Sequence, residues 1–567
     1  MPPVLLLLSD AESSDNNVVN AVINPSRTDC ASPCTVVFSA DKTTAQGLDA
    51  HGIWSQLSYY WDFDTDETDT YGVLYDQTYT YVPGDTSFEK GHVPMVTKTF
   101  VCATQSCVYN VGMRAQNSAG DYDDAFVSIT VHSEPVQWSA ANTVCVSNTL
   151  DVSSDWTVFD KACPAGATKQ TTFPLPDQFD NKLVLVKRGD VFDDDDIFPT
   201  QFGETRLGIQ NGQSNYKIGN FGDAVDPFPD LQAILYSGVA VYQMSGGVVS
   251  SLNLSTSDSH ISSNGWSNNA YFEGLRIGGF SFPESFVHIG LHDIDMDMET
   301  SAVTNGGRIG FSGGVRCTDL PDRLDCANIP FPRGGYISKV DVVGGTAAQM
   351  NSGATLNVAG VGCSMVNFTG IVDSRFRKAG EHNLRIMGWW RLNIMRNFIR
   401  GQHYSPTKQK LTLRPCVEGD LDNGVWRTHA GLPTHWRSET QGRTRADTYL
   451  DNNTDQYLHL SRYQVINGNL IGDKDVLGTH TGERQYQTNA LGGDNGLLED
   501  IAITQNTFEN EQGETVNANV DLSAHYSICV DNTYTISPGC VTDPADTPGV
   551  FVNPVPIPAP LKPVSLP

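Results

Sequence analysis

The sequence predicts an all-β chain, a small sandwich followed by a long stack of short strands. Three observations lead there. Gly, Asn, Asp, Ser and Thr are abundant while charged residues make up 18%, a composition that suits strands joined by turns and suits helices poorly. Segments in the first quarter alternate apolar and polar residues with the two-residue period of a half-buried strand. From about residue 143 to 540, short strands recur at rung-like intervals, each closing on Gly, Asn or Asp, as in a repeat architecture.

A length of 567 residues exceeds what one compact core usually holds unless repeats extend it. Residues 1–19 read as a tail. Val4–Leu8 is apolar but shorter than a signal peptide or a membrane span, and Asp10–Asn17 is a polar linker. Residues 546–567 form a second tail, in which Pro554–Pro567 carries six prolines in 14 residues and is expected as extended polyproline. Val4–Leu8 would suit docking as an added strand on a neighbour's sheet edge, and in a filament both tails would dock on neighbouring subunits. No apolar stretch after Leu8 is long enough to span a membrane.

Residues 20–135 hold the sandwich signals: Thr35–Ala40, Leu57–Phe63 and Ala125–Val131. Trp61-Asp62-Phe63 and Asn117-Ser118-Ala119-Gly120 resemble the polycystic kidney disease (PKD) domain family, in which a Trp-Asp-Phe strand leads to a turn and a late strand precedes an Asn-Ser-Ala-Gly turn. The resemblance implies an extracellular spacer or binding module. The family's Gly-Asp-Gly turn is replaced here by Asp64–Asp69. Asp62, Asp64 and Asp66 therefore form an oxygen-rich turn of the kind that binds calcium, against the commoner reading of a solvated acidic turn.

Residues 136–545 carry the rungs, among them Tyr271–Ile277, Phe286–Leu291, Tyr336–Val343, Leu392–Ile399, Tyr463–Ile471 and Ile501–Phe508. A strand, an Asn and then an apolar residue recur. This resembles the right-handed parallel β-helix of the pectate-lyase-like superfamily, where coils stack, apolar residues fill the lumen and Asn caps turns. The expected class is thus all-β, an N-terminal PKD/immunoglobulin-like sandwich plus a large right-handed parallel β-helix. Each coil buries its inner face only against its neighbours, so the stack forms one continuous core. The fold hosts lyases, hydrolases, epimerases and structural spikes, so function must be argued from a site.

Twelve cysteines fall as neighbours along the chain: Cys30 with Cys34, Cys102 with Cys107, Cys145 with Cys163, Cys317 with Cys326, Cys363 with Cys416, and Cys529 with Cys540. An even count at local spacing argues for disulfides and an oxidising compartment, outside the cell or on its surface. None shows the paired spacing of a zinc site.

The net charge is −29 at pH 7 and the isoelectric point is near 4.6, which argues against nucleic acid. Between Ser374 and Arg445 the chain turns basic, with 14 of its 36 Lys and Arg. That island reads as a site for a carboxylated or sulfated polymer, or as a salt-bridged structural patch. Arg385, Arg414, Arg437, Arg462 and Arg484 lie between 22 and 29 residues apart, so one Arg per coil would make a cationic ladder whose guanidinium forks pair with acidic sugars. Trp389, Trp390, Trp426 and Trp436 lie among them and would stack on sugar faces.

A lyase acting on uronic acids must neutralise the sugar carboxylate, remove the adjacent carbon-bound proton and assist the leaving oxygen. In that scheme Arg385 and Arg414 hold the carboxylate, His382, Lys378 or Lys410 acts as base, and His403 donates a proton. A hydrolase reading uses Asp293, Asp295 and Asp297, whose alternation puts three carboxylates on one strand face, where calcium would also fit. Their simplest account is solvent-facing alternation with Ile294 and Met296 turned inward, and Asp193–Asp196 likewise reads as a solvated loop. No nucleophile elbow or phosphate loop appears. Two functions remain: binding or β-elimination of an acidic polysaccharide, and a structural subunit of an extracellular filament, sheath or spike assembled through its tails.

Overall fold

The computed structural model describes residues 18–48, 50–63, 93–132, 138–174, 179–192, 206–209, 216–231, 234–237, 242–249, 260–262, 267–277, 279–282, 286–297, 309–311, 333–343, 357–359, 367–379, 382–387, 390–402, 411–414, 417–422, 425–428, 461–472, 486–488, 498–509, 520–521, 528–530 and 533–534. Between Val19 and His132 two sheets face each other. One contains Asn24–Pro25, Cys34–Ser39 and Met95–Phe100, and the other Asp29–Ala31, Tyr122–His132, Ser106–Gln116 and Ser58–Asp62. Phe38 packs between them against Trp61, Phe63 and Phe100, with ring centroids 6.0 to 6.2 Å away. The buried Trp61 indole N–H donates to the Val93 carbonyl at 2.8 Å, which satisfies its one polar atom.

From Thr143 to Tyr534 the strands, apart from the antiparallel pair Val417–Asp422 and Val425–Thr428, form sheets of 21 and 10 members, parallel throughout, and these make the parallel β-helix. Phe272, Leu291, Ile337, Ile371, Ile394, Ile466 and Ile503 occupy one register column and all are buried. Every second side chain of a strand points the same way, so stacking in register turns short alternating segments into a continuous lumen. Among the described residues no helix is long and apolar enough to cross a membrane.

Two bends recur in each coil at fixed register. Asn269, His288, Gly334, Phe368, Arg391, Tyr463 and Asp500 all have φ between 49° and 75°, and they stack over one another. Five residues later a second left-handed column follows: Gly274, Asp293, Lys339, Asp373, Arg396, Gly468 and Gln505. Of the four residues between the bends, the second and fourth face away from the lumen and form one flat outward face.

Behind the second bend a ladder of side-chain amides ties the coils. Asn397 Oδ1 accepts from the Ser374 amide at 3.0 Å, Asn469 Oδ1 from the Asn397 amide at 2.9 Å, and Asn506 Oδ1 from the Asn469 amide at 2.9 Å. Their Nδ2 groups donate back to the carbonyls of Ile371, Ile394 and Ile466 at 2.8 to 2.9 Å. Each Asn therefore satisfies a backbone donor and a backbone acceptor that the bend leaves without a ladder partner. The step between rungs of this column is not constant: 34 residues from Val340 to Ser374, 23 to Asn397, 72 to Asn469 and 37 to Asn506.

The sandwich docks on the flat face. All six residues of Cys34–Ser39 are buried, because its sheet has the second sandwich sheet on one side and the helix on the other. A Cβ placed on Gly370 would lie 2.6 Å from Thr97 Cγ2 and 3.1 Å from Val37 Cγ2, so only glycine lets the two backbones approach this closely. Asn393 Nδ2 donates to the Met95 carbonyl at 3.0 Å, and the rings of Trp54 and Tyr463 sit 5.1 Å apart. Arg391 donates twice to one Asp41 oxygen, at 3.1 and 2.6 Å. Burial opposes the Asp41 charge, but the charge and hydrogen bonds of Arg391, with help from Asn24 and Ser39, outweigh it and hold the carboxyl below its ordinary range. Tyr336, Val372, Met395, Tyr463, Val465 and Ala502 belong to the same apolar cluster as the sandwich core.

Asn469→Ala orphans the Asn397 amide and the Ile394 carbonyl inside the stack, each worth about 1–3 kcal/mol, and should lower the melting temperature while a surface Asn→Ala control does not. Asp41→Ala strands a buried guanidinium and should cost about 3–5 kcal/mol in chemical denaturation, whereas Asp41→Asn, which keeps an acceptor, should cost less.

Candidate functional site

Much of the basic island is internal wiring. Arg377 Nη2 lies 2.8 Å and Arg375 Nη1 3.7 Å from the Asp341 carboxylate, Arg396 bonds both oxygens of Asp373 at 2.6 and 2.7 Å, and Arg391 is committed to Asp41. These ties belong to the salt-bridged reading. The rest of the island falls largely in the 72-residue step between Asn397 and Asn469, an excursion that adds the paired strands Val417–Asp422 and Val425–Thr428, the latter carrying Trp426.

The Arg ladder does not form as one column. His382 and Arg385 sit on His382–Met387 and Arg414 on Leu411–Arg414, neighbouring strands of the ten-stranded sheet. There Arg385 registers with Thr412, and Arg414 with Met387, two positions further on. Arg462 lies in the other sheet, in register with Trp390. The even spacing in sequence fails to become even spacing in space because coil lengths differ so widely. Lys378 lies on Arg375–Ala379. Trp389, His403, Lys410, Trp436, Arg437 and Arg484 lie outside the described residues.

Asp293 and Asp295 are exposed and alternate with buried Ile294 and Met296. Asp293 occupies a left-handed bend, Asp295 lies in register between Arg276 and Asp341, and Asp297 ends the strand. Asp62 ends the strand Ser58–Asp62, while Asp64, Asp66 and Asp193–Asp196 lie outside the described residues. Among the described residues no group of three His, Cys, Asp or Glu side chains is placed to hold a metal ion. Cys30–Cys34, Cys102–Cys107 and Cys145–Cys163 are disulfides, with Cα atoms 5.8, 5.7 and 6.1 Å apart. Cys529 stands at the register position of buried Ile503. Cys317, Cys326, Cys363, Cys416 and Cys540 lie outside the described residues.

The densest gathering of chemically useful groups lies elsewhere, at the seam where the sandwich meets the helix. Arg27 comes from the sandwich. Its Nε and Nη2 donate to the Thr35 carbonyl at 3.1 and 2.8 Å, and its guanidinium lies 4.3 Å over the Tyr336 ring. Among the described residues no carboxylate pairs with it. Burial pulls its pKa below the ordinary value, and the Tyr336 and Tyr271 phenols offset that only in part.

Tyr336 O–H donates to Ser26 Oγ at 2.9 Å, and His288 Nδ1 lies 3.1 Å from the same phenol oxygen. With the Tyr336 proton spent on Ser26, His288 Nδ1–H is the donor in that contact, which assigns the basic lone pair to Nε2. The His288 and Tyr336 rings are parallel within 6°, with centroids 6.1 Å apart, which fixes the imidazole plane. One coil away the Tyr271 ring lies across Gly290, where a Cβ would come within 2.5 Å of it. The Tyr271 hydroxyl is buried and has no hydrogen-bond partner among the described residues. Burial first, then Glu273 and Asp293, hold it protonated against the pull of Arg27. Beside Glu273 in register, His292 is buried and bonded through Nδ1 to Ser338 Oγ at 2.7 Å. Burial, followed by the charge of Lys339, lowers its pKa to about 4.

Sequence reading placed Tyr271, His288 and Tyr336 on strands but did not single them out, and it passed over Arg27. Ser26 and Tyr336 are 310 positions apart, and no local pattern links them. The polar and aromatic residues at the starts of otherwise apolar rungs were the one available signal.

No family model and no curated protein matches this sequence. Among solved structures, the A-module of a mannuronan C-5 epimerase from Azotobacter vinelandii is similar at 12% identity and a TM-score of 0.31, over 66% of this chain and 87% of that one. A family 28 exopolygalacturonase from Yersinia enterocolitica is similar at 9% identity and a TM-score of 0.33, over 94% and 99%. A lacto-N-biosidase from Eubacterium ramulus is similar at 10% and 0.27, over 72% and 67%. Likenesses this distant identify neither a reaction nor a substrate.

Since His292 stays neutral down to about pH 4 in the folded chain while an unfolded His protonates near pH 6.5, the unfolded state binds the extra proton between those values. Stability should fall as pH drops through that window, by about 3 kcal/mol in all. His292→Gln should flatten this part of the stability curve in denaturant titrations at stepped pH.

Proposed function

We propose that this protein binds an acidic polysaccharide at the seam and cleaves it there by β-elimination. The observation that supports this reading is Arg27: a half-buried cation over the Tyr336 ring with no carboxylate partner among the described residues, electrostatically coupled to the Tyr271 phenol, whose buried hydroxyl has no acceptor among the described residues. Both groups are incomplete as hydrogen-bonding centres, and a sugar carboxylate would complete the first and a glycosidic or ring oxygen the second. Glu273 and Asp293 beside Tyr271 are acceptors suited to neutral sugar hydroxyls.

In the proposed reaction Arg27 holds the uronate carboxylate and stabilises the charge that builds on it. His288 Nε2 removes the proton from the adjacent carbon, and that electron pair forms the new carbon–carbon double bond. The bond to the leaving sugar oxygen breaks, and Tyr271 O–H supplies its proton; solvent then returns the proton from His288 to Tyr271. Tyr336 acts through His288 and is a positioning residue. The disulfides support an extracellular or cell-surface location, where such polymers are met.

Purified protein should bind at least one member of a panel of uronate polymers and release ultraviolet-absorbing unsaturated oligomers from it. Arg27→Ala should weaken binding about tenfold to a hundredfold, while His288→Gln should keep binding and lower product release about a hundredfold or more. Loss of both in Arg385→Ala, with Arg27→Ala unaffected, would move the site to the ten-stranded sheet and overturn this reading.

A further inference from the structure

We infer that the seam is a bounded recess whose footprint covers a few sugars, and not an open groove along which a polymer lies; this rests on the seam being the saccharide site. The flat outward face of the helix is covered on both sides of the recess. On one side the sandwich lies over the coils from Tyr336 to Ala502, and at Gly370 the two units leave no room for a methyl group, still less a sugar ring. On the other side Trp156 and the Cys145–Cys163 disulfide pack with Leu185 and Phe221. Cys145, Leu185 and Phe221 belong to three successive strands of the same sheet, Thr143–Val146, Leu183–Lys187 and Tyr216–Phe221.

Between the two covers run three strands, Tyr242–Val249, Ala270–Ile277 and Phe286–Asp297. Gln243, Tyr271 and Gly290 share one register column there. At the usual spacing of paired strands, three coils span about 14 Å. Arg27 stands at the sandwich wall of this window against Tyr336, and Tyr271 lies in its middle. A carboxylated sugar held by Arg27 therefore has its neighbours confined to the window, with Glu273 and Asp293 on hand for their hydroxyls. The sandwich is then part of the site, since it supplies both the cation and the wall.

The full chain is titrated calorimetrically with a graded series of purified oligogalacturonates and oligomannuronates, from the dimer upward, and with the parent polymers. Affinity should rise over the first few sugars and then level off, with the longest oligomers no tighter than the shortest that fills the window. Tyr271→Phe, which removes only a hydroxyl, should weaken the shortest bound oligomer about tenfold. Affinity that keeps climbing with every added sugar overturns the bounded recess while leaving the seam as the saccharide site, and so does an unchanged affinity in Tyr271→Phe. Absence of binding by every oligomer and polymer overturns both readings.

Discussion

The architecture depends on a backbone bend that ordinary residues resist. Each described coil from Asn269 to Gln505 turns twice through left-handed φ, and at most of these positions the residue carries a side chain. Such a conformation costs about 1–3 kcal/mol when the residue is not glycine. It persists because every neighbouring coil bends at the same register, so that the strands on either side keep their ladder bonds and the lumen keeps its apolar columns. The Asn side chains behind the second bend offset part of that cost by serving the backbone groups that the turn isolates.

The flat face between the bends then decides how the two units meet. Four successive residues of one outward column, Gly370, Asn393, Val465 and Ala502, are short or amide-bearing, and a sheet can lie directly upon them. Charge follows shape here. Arg391, itself at a left-handed bend, reaches across to Asp41, so the residue that shapes the coil also fastens the sandwich. A seam formed this way brings Arg27 to Tyr336 although the two are far apart in the chain.

The fold class was legible because composition and two-residue alternation are local signals, and the recurring strand–Asn unit marks each coil. The disulfides at Cys30, Cys102 and Cys145 were legible for the same reason, their partners being near in sequence. The cationic ladder was not, because equal sequence intervals mean equal positions only when coils have equal length, and here a coil can be 23 or 72 residues long. Nor was the fate of Arg375, Arg377, Arg391 and Arg396, since all four of their carboxylate contacts come from other rungs or from the sandwich, and the count of basic residues does not reveal them. The seam was invisible for want of any local link between Arg27 and the rungs at Tyr271, His288 and Tyr336.

Unequal coil length has an evolutionary side. Lengthening a loop from 23 to 72 residues adds only about 1 kcal/mol of closure entropy, because its two ends are already pinned by the adjoining rungs. The stack can therefore host large excursions at almost any turn, and gain or shed them, without disturbing its frame. The paired strands Val417–Asp422 and Val425–Thr428 belong to such an excursion, placed between Leu411–Arg414, which stays in the ten-stranded sheet, and Ser461–Asn467, which returns to the larger one.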